Sequence, residues 1–173
     1  MRAGDMTPSS QMVRSAKAVL QQRILLLSES KKQTQSQNVA QMLFKVPQYK
    51  NSKRVSLYLN MGEELQTEMD YQRLPESKWH IKQPGDDDVR EDALSTGGLD
   101  LILMPGLGST SNGARLGRGK GYYDTYLAKC SNQGRKPFMI ALAFNEQICE
   151  SVPMSDTDIR LDMVLFPDMP AAV

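Results

Sequence analysis

Three cations, Arg115, Arg118 and Lys120, fall within six residues, and glycines separate them in the string Gly113-Ala114-Arg115-Leu116-Gly117-Arg118-Gly119-Lys120-Gly121-Tyr122-Tyr123-Asp124. Glycine lets backbone N–H groups approach oxygen atoms closely, and the N-terminus of a following helix adds partial positive charge. Side-chain cations then neutralise charge that the backbone alone cannot. A largely apolar run at 99–104 leads into the string, and a helical pattern at 122–130 follows it. Strand, cationic glycine-rich loop and helix, in that order, are how α/β proteins hold phosphate. The competing reading is a solvated basic turn. Two common nucleotide signatures fail on spacing. A Walker loop would need glycine at Ala114 and a hydroxyl residue at Gly121, and Gly117, Gly119 and Gly121 are too evenly spaced for a dinucleotide fingerprint. The residues alone predict an anion loop of no named class.

The elements that must position this loop alternate along the chain. Apolar positions recur at helical spacing over 15–27 (Ala16, Val19, Leu20, Ile24, Leu27), and 28–45 continues as a second helix that Pro47 ends. The stretch 54–59 alternates and is rich in Val, Leu and Tyr, which predicts a strand. Further strands are expected at 99–104, 138–144 and 163–166. This order predicts an α/β fold of three layers, a mostly parallel sheet flanked by helices, with the phosphate loop between strand and helix. In such sheets ligands bind beyond the carboxyl ends of the strands, where 105–121 must lie. Residues 1–11 read as a loose tail, and 12–173 as one domain. The segment 66–98 breaks the rhythm with Pro75, Pro84, Asp86 to Asp88 and paired glycines. A structureless link of that length is unusual inside a compact domain.

Composition narrows the partners. Lys and Arg total 21 against 20 Asp and Glu over 173 residues, so no global basic field favours nucleic acid or anionic lipid. The two cysteines, Cys130 and Cys149, have neither metal nor redox spacing. No apolar run approaches the ~18 residues of a membrane span, and the first ten residues lack an apolar signal core. A cytoplasmic monomer that binds small molecules, without nucleic acid or membrane, is expected. His80, the lone histidine, is assigned no role, and the eleven methionines are read as flexible core filler.

The string from Leu99 to Gly108 (LDLILMPGLG), followed by RLGRGKGYYD at Arg115 to Asp124, resembles the 5-formyltetrahydrofolate cyclo-ligase (methenyltetrahydrofolate synthetase) family in its animal form. Further matching blocks are the helix around Lys17, the run 58–64, Gln83-Pro84 through Gly98, Ala141 to Phe144, and Asp158-x-x-x-Asp162. The likeness spans nearly all of the chain after Met12. It implies an enzyme that uses ATP and Mg²⁺ to convert 5-formyltetrahydrofolate to 5,10-methenyltetrahydrofolate through a phosphorylated formyl group. It also implies ATP contacts from Lys17, Arg115, Gly117, Arg118, Gly119, Lys120, Gly121 and Tyr122, with Arg118 to Tyr122 also reaching the substrate. Arg118 and Lys120 are expected to carry the transition-state charge. Glu64 matches the folate-binding glutamate and Leu59 an apolar wall of the same pocket. Asp124 and Asp158 match the magnesium positions, with Asp162 a weaker candidate. The blander readings are a first-turn helix acid for Asp124, surface acids for Asp158 and Asp162, a strand-end acid for Glu64, a core leucine for Leu59, and a helix-surface cation for Lys17.

The chain departs from that family in three places. Gln21 stands where the family usually has arginine, removing a fork suited to phosphate. Ser109-Thr110 stand where the family continues Phe-Asp. Between Glu68 and Trp79 this chain has only residues 69–78, where the family has a helix, then a strand ending in proline, and further folate-pocket residues. About 30 residues, roughly one βα unit, are therefore expected to be missing. Such a chain reads as a splice form or an incompletely read gene, impaired as an enzyme. The alternatives are a nucleotide- or folate-binding remnant without turnover and, more weakly, an RNA-binding chain using the loop cations and tyrosines.

Overall fold

A computed structural model describes residues 8–58, 64–65, 89, 91–156 and 158–170. Helix α1 (Ser10–Leu25) starts earlier than the pattern at 15–27 indicates, because the Ser9 hydroxyl caps it by accepting from the Met12 N–H at 3.2 Å. Ser28 caps α2 (Glu29–Leu43) in the same way, through the Lys31 N–H. Pro47 does not end α2, which stops at Leu43; it opens the short helix α3 (Pro47–Asn51), where a missing N–H costs nothing.

Strands β1 (Val55–Ser56), β2 (Leu101–Met104), β5 (Phe138–Leu142) and β6 (Met163–Leu165) form a parallel sheet in the order β1-β2-β5-β6. The fold is thus the α/β sheet that the alternation predicted. Just before β2, the Asp100 carboxylate accepts from the Lys53 and Arg54 N–H groups at 2.8 and 2.9 Å. Those two bonds hold its pKa below the ordinary carboxylate value and fix the register Val55↔Leu101. Alternate residues of each strand face opposite layers. Leu101, Leu103, Ile140 and Leu142 pack with Ile24 of α1 and with Val39 and Leu43 of α2. Ile102, Met104, Met139 and Ala141 pack with Leu127 of helix α4 (Tyr122–Asn132) on the other face.

Between β2 and α4 the chain makes a small antiparallel hairpin, β3 (Gly108–Ser109) with β4 (Arg115–Leu116). Its apolar side, Leu107 and Leu116, packs on Leu20 of α1. Thr110 closes it, donating to the Asn112 side chain and accepting from the Ala114 N–H at 3.0 Å. The departure from the family at Ser109-Thr110 therefore has a local use: Ser109 is buried in the hairpin and Thr110 clasps its turn.

Gly113, in the same turn, has φ +89°, and a Cβ there would run into the Leu161 carbonyl oxygen. The Leu161 N–H donates to the Gly113 carbonyl at 2.8 Å, so the two backbones cannot move apart freely. Gly113→Ala is expected to cost about 2–4 kcal/mol of unfolding free energy, measured by urea denaturation. A loss below about 0.5 kcal/mol would contradict this close approach.

Candidate active site

The hairpin delivers Arg115 and the loop residues Gly117, Arg118 and Gly119 into a cleft of about 240 Å³. Helix α1 contributes Val13 and Lys17 to its walls, α4 contributes Tyr123 and Asp124, and the segment before β6 contributes Ser155 and Asp158. Lys17 is brought there by the packing of Leu20, one helical turn on, against Leu107 and Leu116. Its ammonium lies so close to the loop that a Cβ on Gly119 (φ +103°) would sit 2.7 Å from Nζ. The positive φ favours glycine at that position, and the absence of a side chain lets the lysine come in close.

Arg115 is buried. Its guanidinium reaches the Asp124 carboxylate at 3.2 Å, donates to the Pro105 carbonyl at 3.2 Å, and lies 5.8 Å from the centre of the Tyr123 ring. Its Nε is buried without a hydrogen-bond partner. The arrangement fixes a cation under the loop and leaves one donor unsatisfied, a cost that an incoming anion could relieve. Asp124 stands in the first turn of α4, where the helix dipole favours an acid, and also accepts from the Ile159 N–H at 3.4 Å. Asp158 lines the same cleft and is held by the Ser155 N–H and hydroxyl at 2.6 and 3.0 Å.

Arg118 is a third exposed and extends from the loop to Glu64, with Nε to Oε1 at 3.4 Å. Glu64 is itself buried. Burial first, then the Glu64 charge, raises the Tyr123 pKa, which Arg115 opposes. The residue matched to folate thus lies against the loop matched to phosphate, although 54 positions separate Glu64 from Arg118 in sequence.

Not every expected residue comes together. Lys120, Gly121 and Tyr122 face solvent and do not line the cleft, and Tyr122 is 75% exposed. Its neighbour Tyr123 takes the inward position. The spacing of Tyr123 with Leu127 and Cys130, at i+4 and i+7, carries that information. Asp162 is not in the cleft: it accepts from the Met139 N–H at 2.8 Å and pairs with Lys136, stitching β6 to the start of β5. Leu59 lies outside the described residues, as does His80. Both cysteines are free thiols, Cys130 buried and Cys149 partly so.

The 5-formyltetrahydrofolate cyclo-ligase family profile matches residues 67–167. A mouse protein named 5-formyltetrahydrofolate cyclo-ligase is 44% identical, over 92% of this chain and 95% of its own. The chain belongs to the 5-formyltetrahydrofolate cyclo-ligase family. Two solved structures share the fold. A 5,10-methenyltetrahydrofolate synthetase from Mycoplasma pneumoniae aligns with TM-score 0.64 at 22% identity, covering 90% of this chain and 99% of that one. One from Aquifex aeolicus aligns with TM-score 0.68 at 24% identity, covering 94% and 96%. The alignment to the mouse cyclo-ligase is 193 residues long, more than this chain's 173. At 92% coverage about 159 residues of this chain face those 193 positions, leaving about 34 without a counterpart.

Within the cyclo-ligase cleft, Asp124→Asn is expected to weaken binding of ATP in the presence of Mg²⁺ about tenfold, since it removes a carboxylate beside the phosphate loop and loosens Arg115. Calorimetry with and without the metal checks it. An equal loss in both conditions would assign Asp124 to Arg115 alone.

Proposed function

We propose that this chain uses ATP and Mg²⁺ to convert 5-formyltetrahydrofolate to 5,10-methenyltetrahydrofolate through a phosphorylated formyl group, at a rate reduced by the absence of one βα unit. The observation that carries the reading is the contact of Glu64 with Arg118, which sets the folate-matched residue against a phosphate-matched residue of the cleft wall. In the reaction the formyl oxygen attacks the γ-phosphorus and ADP leaves. N10 then attacks the formyl carbon, the C–O bond breaks, phosphate departs with the former formyl oxygen, and N10 gives up its proton.

Phosphoryl transfer of this kind asks the protein mainly for position and charge. Lys17 and the N–H groups of Gly117, Gly119 and Gly121 hold the triphosphate, with Arg115 beneath them. Arg118 offsets the charge that builds on the transferring group. Glu64 accepts hydrogen bonds from the folate ring, with Leu59 as an apolar wall. Among the described residues no three His, Cys, Asp or Glu side chains form a ready metal cage. The carboxylates of Asp124 and Asp158 on one cleft suffice, because Mg²⁺ beside a triphosphate takes one or two protein oxygens and keeps several waters. When bound, Mg²⁺ supplies charge neutralisation on the phosphates.

The length of the mouse alignment supports the missing unit. The alternative to reduced turnover is a variant that retains only nucleotide or folate binding. Phosphate release from ATP, followed with and without 5-formyltetrahydrofolate, separates them. The proposal expects folate-dependent release, one phosphate per methenyl product. ATP binding without any folate-dependent release would support the alternative. No described helix is long and apolar enough to cross a membrane; a cytoplasmic monomer, with Cys130 and Cys149 kept reduced, completes the proposal.

A further inference from the structure

Tyr58 lies two residues after β1 and is 6% exposed, in the same apolar cluster as Leu65. Its hydroxyl donates to the Leu65 carbonyl at 3.2 Å. A buried phenol ordinarily finds one partner, and here that partner is the backbone immediately after Glu64. Glu64 is buried as well, and its side chain meets Arg118 at 3.4 Å. Burial, followed by the charge of Glu64 and the proximity of Tyr123, keeps the Tyr58 pKa well above the ordinary phenol value. The hydroxyl therefore remains a donor at any working pH.

We propose that Tyr58 is a positioning residue whose hydroxyl pins the Leu65 carbonyl, one residue beyond Glu64, and so holds that carboxylate against Arg118 of the glycine-rich loop. The functional part of this proposal rests on the reading of Glu64 and Arg118 as substrate-facing groups; the structural part does not. If instead the hydroxyl only satisfied a buried carbonyl, its loss would lower stability without changing how Glu64 and Arg118 interact.

Tyr58→Phe keeps the ring and removes the hydroxyl, so the full chain carrying it is the test. Glu64→Gln and Arg118→Gln, singly and together, give the coupling between the two side chains in the unfolding equilibrium constant, measured with urea. That coupling is expected to be about fivefold with Tyr58 in place and less than about twofold when Tyr58→Phe is added. Equal coupling in both backgrounds, including none in either, overturns the latch, and this arm needs no ligand. Calorimetry with 5-formyltetrahydrofolate and, separately, ATP is the second arm. Tyr58→Phe is expected to weaken folate binding about tenfold and ATP binding less than about twofold, and to add nothing to Glu64→Gln. A full tenfold loss on top of Glu64→Gln would show that Tyr58 acts independently of Glu64 and would overturn the proposal. If the unsubstituted chain binds no folate, the reading of Glu64 as a folate ligand fails, while the urea arm still decides the latch.

Discussion

Arg118→Ala is expected to lower turnover of ATP and 5-formyltetrahydrofolate by about 10²–10³-fold, the loss typical of removing one preorganised charge from a transition state. The geometry singles out this residue among the loop cations. Arg115 is buried and engaged by Asp124, the Pro105 carbonyl and the Tyr123 ring, so it cannot follow a moving charge. Lys120 faces solvent outside the cleft. Arg118 lines the cleft, is one third exposed, and touches Glu64, so under the proposed function it borders both substrates. The expected cost in stability is smaller, about 1–2 kcal/mol: a partly exposed pair is screened, but buried Glu64 loses a partner. Arg118→Lys keeps a charge without the planar fork and should retain intermediate activity. Steady-state kinetics at saturating ATP, beside urea denaturation of each variant, separate the two effects. A loss under about fivefold for Arg118→Ala would move charge stabilisation to another residue.

The second large effect concerns the segment between Glu68 and Trp79. Replacing residues 69–78 with the corresponding longer region of the mouse relative is expected to raise kcat/KM for 5-formyltetrahydrofolate at least about 100-fold, with ATP affinity changed less than about threefold. Strand β1 is two residues long and, among the described residues, pairs on one side only, with β2. Beside it, a groove of about 320 Å³ has an apolar floor of Leu57, Leu65, Leu103 and Leu142 and a mixed wall from α2, where Gln33, Ser36, Gln37 and Gln41 stand with Ala40 and Leu43. Leu65 lies three residues before the point where the family pattern is interrupted. A strand and a helix entering there would pair with β1 and cover that groove, fixing the backbone that carries Glu64. The phosphate cleft is built from α1, the hairpin and α4, so its affinity should barely respond. Unchanged kcat/KM would mean that the shorter chain already forms a complete folate pocket.

Sequence patterns reveal the sheet better than the loop that serves it. Strands β2, β5 and β6 were legible because each is a short apolar run buried on both faces. Hairpin β3–β4 was not, since Gly108-Ser109 and Arg115-Leu116 have no strand signature and are paired by backbone bonds and the Thr110 clasp. The amino end of α1 depended on one cap at Ser9. In the site, the cation–glycine spacing pointed to phosphate, but it could not choose between Tyr122 and Tyr123, which only the helix face decides. Nor could spacing join Lys17 to Gly119 or Glu64 to Arg118, contacts made by packing across the sheet's edge. Asp162 shows the same limit, because an acid that joins two strands has the same composition signal as one that lines the cleft.

The central claim, that ATP phosphorylates the formyl oxygen before the ring closes, is tested most directly by isotope transfer. The full chain, in excess over 5-formyltetrahydrofolate carrying ¹⁸O in its formyl group, is mixed with ATP and Mg²⁺ for a single turnover, and the inorganic phosphate is examined by mass spectrometry. The account predicts one ¹⁸O in the phosphate for each 5,10-methenyltetrahydrofolate formed, and neither product without ATP. Methenyl product formed with unlabelled phosphate, or no ATP-dependent product from stoichiometric protein, would contradict it.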